Sequence, residues 1–150
     1  MFSFERLDVW QKSIEFADLV YECTRTFPDP EKFGLRTQMR RAAVSVASNI
    51  AEGSSRFSKA DFVRFIEIAT GSLFEVISQA FISRRQAFLD EDRFLALYAA
   101  AEEQGMAIKF VYRLGDPQEE IAAAVGHMMT DSLGPRLYAK LMEHAHKRRS

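Results

Sequence analysis

The sequence predicts an all-α protein: an antiparallel up-down-up-down four-helix bundle over residues 1–115, followed by a C-terminal helical extension or partly mobile tail over residues 116–150. Three observations predict it. Apolar residues recur every three or four positions over four successive stretches of roughly 20 residues, the period of an amphipathic helix and not of a strand. Short breaks rich in Pro, Gly, Ser and Asp separate those stretches, which favours antiparallel neighbours. Finally, 150 residues at 47% hydrophobic, with 13 Phe, suffice to pack one core.

The first helix is expected from Phe4 to Phe27. Val9, Trp10, Phe16, Ala17, Val20, Cys23, Thr24 and Phe27 take one side, and Asp8, Gln11, Glu15, Asp18, Glu22 and Arg25 the other. Phe27-Pro28-Asp29-Pro30 ends it, since neither proline donates to the helical ladder and each disfavours helix in the residue before. The second helix runs from about Leu35 to Glu52, with Gly53 placed as a left-handed C-terminal cap. Ser58-Lys59-Ala60-Asp61 has capping-box spacing and opens the third, which reaches about Arg85. Asp90 or Asp92 caps the fourth, which runs to about Leu114. Beyond Gly115, Asp116-Pro117-Gln118-Glu119 starts a further helix carrying Ile121, Val125, Met128 and Met129. Ser132-Leu133-Gly134-Pro135 breaks it, and a last amphipathic piece with Leu137, Leu141 and Ala145 ends in a basic cluster.

Two helices carry more apolar surface than one core requires. On the second, Leu35, Met39, Ala42, Val46 and Ile50 share the core arc. Beside it lies an arc of Ala43, Val44, Ala47 and Ala51, with Arg36 and Arg40 at its upstream end. Small residues on a flank let another backbone approach closely. On the third, Phe62, Phe65, Ile66, Ala69, Leu73, Val76, Ile77 and Ala80 form the core arc, and Val63, Phe74 and Phe81 make a second stripe. A monomeric bundle needs one stripe per helix, so Ala43, Val44, Ala47, Ala51, Val63, Phe74 and Phe81 are the expected oligomer interface. The competing reading is that the C-terminal tail covers them.

The net charge of −1 conceals segregation along the chain. Arg36, Arg40, Arg41, Arg56, Lys59 and Arg64 face only Glu52 and Asp61 between Gly34 and Arg64, whereas nine acids meet three bases from Asp90 to Asp131. From Gly134 to Ser150 five bases stand against Glu143. Such blocks suggest complementary surfaces within one chain or between copies.

Chemistry-bearing patterns are few. There is no Gly-rich loop ending in Lys-Ser or Lys-Thr, no His-Glu-x-x-His, and no paired Glu-x-x-His of the kind a carboxylate-bridged metal bundle needs. His144 and His146 are two apart and point to different helix sides, and His127 stands alone. The single cysteine, Cys23, reads as a small buried hydrophobe. Gly53-Ser54-Ser55-Arg56 reads as a turn, although backbone donors before the third helix could hold an anion. The expectation is a non-enzyme without cofactor, metal, small-molecule substrate or membrane span. Charges at Glu5, Arg6 and Asp8 where a signal peptide would be apolar suggest the cytoplasm.

Leu7-Asp8-Val9-Trp10-Gln11-Lys12, Glu31-Lys32-Phe33-Gly34-Leu35, Gln38-Met39-Arg40-Arg41-Ala42-Ala43-Val44-Ser45, Ser48-Asn49-Ile50-Ala51-Glu52-Gly53 and Ile68-Ala69-Thr70-Gly71-Ser72-Leu73 stand in order over residues 4–114. In these the chain resembles the four-helix-bundle family encoded in intervening sequences of bacterial 23S ribosomal RNA genes, a family related to the accessory protein of diversity-generating retroelements. The resemblance implies five-fold rings of up-down bundles and, from the basic retroelement branch, association with RNA and a nucleoprotein. Two departures stand out: Ala47 occupies a position where the family usually has proline, so a mid-helix kink is not expected, and the chain is balanced in charge.

Two functions follow as expectations. The first is a non-enzymatic homo-oligomeric scaffold, a pentameric ring by the resemblance, that contacts RNA or a nucleoprotein through Arg36, Arg40, Arg41, Arg56, Lys59 and Arg64. The alternative is a purely protein-protein assembly module, with Arg36 and Arg40 paired to carboxylates of the neighbouring copy.

Overall fold

The computed structural model describes residues 1–123, and these are helical with no strand. Two compact units divide the chain, Met1–Pro117 and Gln118–Ser150. In the second unit the described residues, 118–123, are helical. Val125, Met128, Met129, Leu137, Leu141, Ala145 and the three histidines lie outside the described residues.

In the first unit a 3-10 turn, Ser3–Arg6, precedes α1, Asp8–Thr24. Leu7, extended between them and fully buried, starts α1 later than the sequence suggests, its carbonyl accepting from the Trp10 and Gln11 N–H groups. The two prolines end the helical run as expected, and Asp29–Phe33 forms a second 3-10 turn. The Glu31 carboxylate then accepts from the Leu35 N–H at 2.9 Å and caps α2, Leu35–Ser54. α3, Lys59–Arg85, begins at Ser58, whose hydroxyl accepts from the Asp61 N–H at 3.1 Å. Of the two expected caps for α4, Glu91–Leu114, Asp90 is the one used: its carboxylate accepts from the Arg93 N–H at 2.9 Å. Gly115 closes α4 with φ of 65°, a left-handed value that a side chain would disfavour.

Gly53 corrects the sequence reading. α2 continues through it to Ser54, and its φ is not positive. The missing side chain serves a close approach instead: a Cβ there would lie 2.8 Å from Phe65 Cβ and 3.4 Å from Phe62 Cδ2. Ala47 lies within an unbroken α2.

The helices pack in a closed cycle, α1 on α2, α2 on α3, α3 on α4 and α4 on α1. Phe16, Val20, Met39, Val46, Ile50, Phe62, Ile66, Val76, Leu97 and Val111 fill its middle, each with almost no exposure. Burying one such side chain contributes about 1.5–3 kcal/mol. The α2–α3 contact is the most extensive and the α3–α4 contact the least. Ser45 Oγ meets Ser72 Oγ at 2.9 Å across the former, and the Gln79 amide donates to Gln38 Oε1 at 3.3 Å. Such polar ties fix the register of two helices in a way that apolar contacts alone do not.

Candidate functional site

The small-residue arc of α2 is where the expected interface and the structure part. Arg40, Ala43 and Ala47 recur at helical spacing on the side of α2 that meets α1. Ala43 is fully buried and Ala47 nearly so. Arg40 Nε donates to Thr24 Oγ1 at 2.9 Å and Nη2 to the Tyr21 carbonyl at 3.3 Å, while its guanidinium stacks 4.5 Å from the centre of the Tyr21 ring. A cation against the last carbonyls of α1 also suits the negative end of that helix's dipole. Ala43 and Ala47 are therefore not interface surface but the means by which α1 approaches α2 within one chain. Val44, 44% exposed, and half-buried Ala51 stay on the open side of this seam. They line a hollow of about 260 Å³ with Phe4, Trp10, Ile14 and Ala17.

The six basic residues do not make one patch. Arg36, in the first turn of α2, and Arg56, just past its last residue Ser54, stand at opposite ends of a helix about 30 Å long. Arg40 is held against α1, and Arg41 points outward, exposed. Arg56 pairs with Glu52 at 2.5 Å and stacks on Phe65 at 4.6 Å. Lys59 pairs with Asp116 at 3.6 Å. Arg56 and Arg64 do share a small hollow with Asp61, Phe65 and Ile68, and Phe57, next to Arg56 in sequence, is fully exposed.

An open apolar surface lies between α3 and α4. Phe74 and Phe81, both expected interface residues, line a groove of about 840 Å³ together with Leu73, Ile77, Tyr98, Ala101, Gly105 and Met106. A second hollow of about 320 Å³ continues it past Gly105 and Lys109 to Glu67 and Tyr112, whose hydroxyl donates to Glu67 at 3.3 Å. Phe74 is 70% exposed and Met106 65%. Val63 is not part of it: half-buried, it lies against the Gly115 turn. Sequence reading missed the α4 side of the groove. The signal was present as a second stripe beside the buried one of Phe94, Leu97, Ala101, Ile108 and Val111, but Glu102, Gly105 and Lys109 interrupt its apolar character.

Among the described residues reactive groups are sparse. Burial pushes the Cys23 thiol up, away from the thiolate that a nucleophile requires. Lys12 is also pushed up, chiefly by its hydrogen bond to Glu103 at 2.6 Å. Among the described residues no three His, Cys, Asp or Glu side chains converge as metal ligands.

A family model described as 23S rRNA-intervening sequence protein matches residues 5–109. The search among curated proteins gives no match. Among solved structures, a protein of unknown function from the S23 ribosomal protein family of Bacteroides thetaiotaomicron is similar at 21% identity, over 69% of this chain and 97% of that one, with a TM-score of 0.62. At that identity the likeness is one of fold.

Proposed function

The chain belongs to the 23S rRNA-intervening sequence protein family, and from that premise we propose that it is a non-enzymatic, homo-oligomeric scaffold built on an antiparallel up-down-up-down four-helix bundle. The closed packing cycle and the short connections support the bundle. The observation that carries the scaffold reading is the open α3–α4 groove, whose apolar rim is costly to leave in water. A ring of five is the form the resemblance implies.

Of the two expected modes of action, protein-protein assembly fits the geometry better, because the basic residues are dispersed and several are tied within the chain. Arg40 is not the residue that would pair with a neighbour. Light scattering across a size-exclusion peak, with absorbance at 260 and 280 nm, tests this: a defined oligomer with a protein-like spectrum is expected, and a monomer overturns the scaffold.

One observation favours nucleic acid as a second reading. Phe57, fully exposed and next in sequence to Arg56, which shares a hollow with Arg64, offers a ring for a base to stack on, and the two arginines offer cations for phosphate. Stacking on such a ring contributes about 1–3 kcal/mol per base. Excess 260 nm absorbance that is lost in Phe57→Ala and falls steeply with salt supports it; a salt-independent association removes it.

A further inference from the structure

We infer that the mouth of the α3–α4 groove is where α4 of a second copy of this chain docks, antiparallel and about a two-fold axis. The inference rests on the self-association proposed above and adds which surface meets which.

Area is the first support. Of the residues lining the groove or its continuation, Phe74, Met106, Tyr112 and Phe81 are exposed by 43–70%, which at ordinary side-chain sizes leaves about 450 Å² of apolar surface open. A typical monomer's largest patch is roughly 300–600 Å², and a standard interface takes about 800 Å² from each partner. One such face supplies about half of what each partner of a standard interface contributes.

Spacing is the second. Leu95, Tyr98, Glu102, Gly105, Lys109 and Tyr112 follow one another at alternating steps of three and four, the period by which two helices pack side by side. Five of the six line the groove or its continuation on the α4 side: Tyr98, Glu102, Gly105, Lys109 and, at the far end, Tyr112. At Gly105 the seam is open, the nearest atom to an added Cβ being Leu73 Cδ2 at 3.8 Å.

Charge is the third, and it sets the direction. Glu102 and Lys109 are seven residues apart, about 10.5 Å along the helix, so they do not neutralise each other within a chain. Neither has an ion pair among the described residues. A parallel copy would set Glu102 on Glu102 and Lys109 on Lys109. An antiparallel copy turned about residues 103–104 instead sets Leu95 against the partner's Tyr112, Tyr98 against the partner's Lys109, and Glu102 over the partner's Gly105. The ammonium then lies on an aromatic face, and the carboxylate enters the space that glycine leaves, one turn from the partner's Lys109. Each contact occurs twice, as a two-fold interface demands.

Sedimentation equilibrium on the full chain tests it, with wild type, Phe74→Glu, Glu102→Lys, Lys109→Glu, the double charge swap, and Ile68→Glu on another face of α3. The wild type is expected to hold an even number of chains, as two rings of five paired through this face. Phe74→Glu should weaken pairing at least tenfold and each single charge reversal several-fold, the double swap should recover most of the loss, and Ile68→Glu should change nothing. Circular dichroism confirms that Phe74→Glu stays folded; if it does not, the swap and its rescue decide. An oligomer of odd number, one whose mass ignores Phe74→Glu and both reversals, or reversals that the double swap deepens, overturns the antiparallel pairing while leaving the scaffold standing. A monomeric wild type overturns the self-association on which both depend.

Discussion

The α1–α2 seam and the α3–α4 groove carry the same kind of sequence signal and meet opposite ends. In the seam the extra stripe is small: Ala43 and Ala47 let α1 come close, and Arg40 bridges to Thr24 and the Tyr21 carbonyl. In the groove it is bulky, and Phe74, Phe81 and Tyr98 stand between two helices that touch least of all neighbours. Small residues close a gap within a chain, whereas aromatic ones at a flank leave it open. A second stripe therefore marks apolar surface beyond the first core arc, and side-chain size decides whether the same chain closes over it.

Enlarging the seam is the largest test of that contrast. Ala43→Leu puts three extra carbons where exposure is zero, and overpacking of this kind costs roughly 1–3 kcal/mol. Phe74→Ala in the groove should leave the stability of the isolated subunit within about 0.5 kcal/mol, since the ring is mostly in water. Urea unfolding at a concentration where the chain is monomeric compares the two. Equal losses would mean that the groove is as much a part of the chain's own packing as the seam.

Arg40→Ala comes next. It removes a charged donor from Thr24 and from the Tyr21 carbonyl, a loss of about 1–2 kcal/mol in subunit stability. Oligomer mass should not change, because the guanidinium faces α1. A variant that dissociates while keeping its melting temperature would return Arg40 to the interface.

These residues also mark what the sequence made legible. The caps at Ser58 and Asp90 were readable because each is settled within three or four positions of itself. Gly53 was misassigned because glycine serves equally a left-handed cap and a close approach, and Phe65, which decides between them, lies on another helix. Arg40 had its charge in the sequence but not its partner, 16 residues upstream. The basic run looked continuous in one dimension and is dispersed along α2 and α3 in three. On α4 the groove stripe was hidden by the very residues, Glu102 and Lys109, that give it direction.

The smallest expected effect concerns how α4 is held on its other side. Lys12 donates to Glu103 at 2.6 Å, with Asp8 also within 3.9 Å, so α4 is tied to α1 by a charge pair on the face away from the groove. The hydrogen bond raises the Lys12 pKa above its ordinary 10.5, against a smaller desolvation that lowers it. A cation whose pKa is higher in the folded chain than in the unfolded one adds stability that is fully present below 10.5 and disappears as pH rises through the folded value. Wild type should thus exceed Lys12→Met slightly in urea midpoint at pH 8, by an amount that shrinks in strongly alkaline solution and under high salt. If the seam and this tie together fix α1, α2 and α4, then loosening Lys12 should leave pairing through the groove unchanged. A pairing constant that moves with Lys12→Met would instead mean that the position of α4, and not only its exposed stripe, sets how the second copy fits.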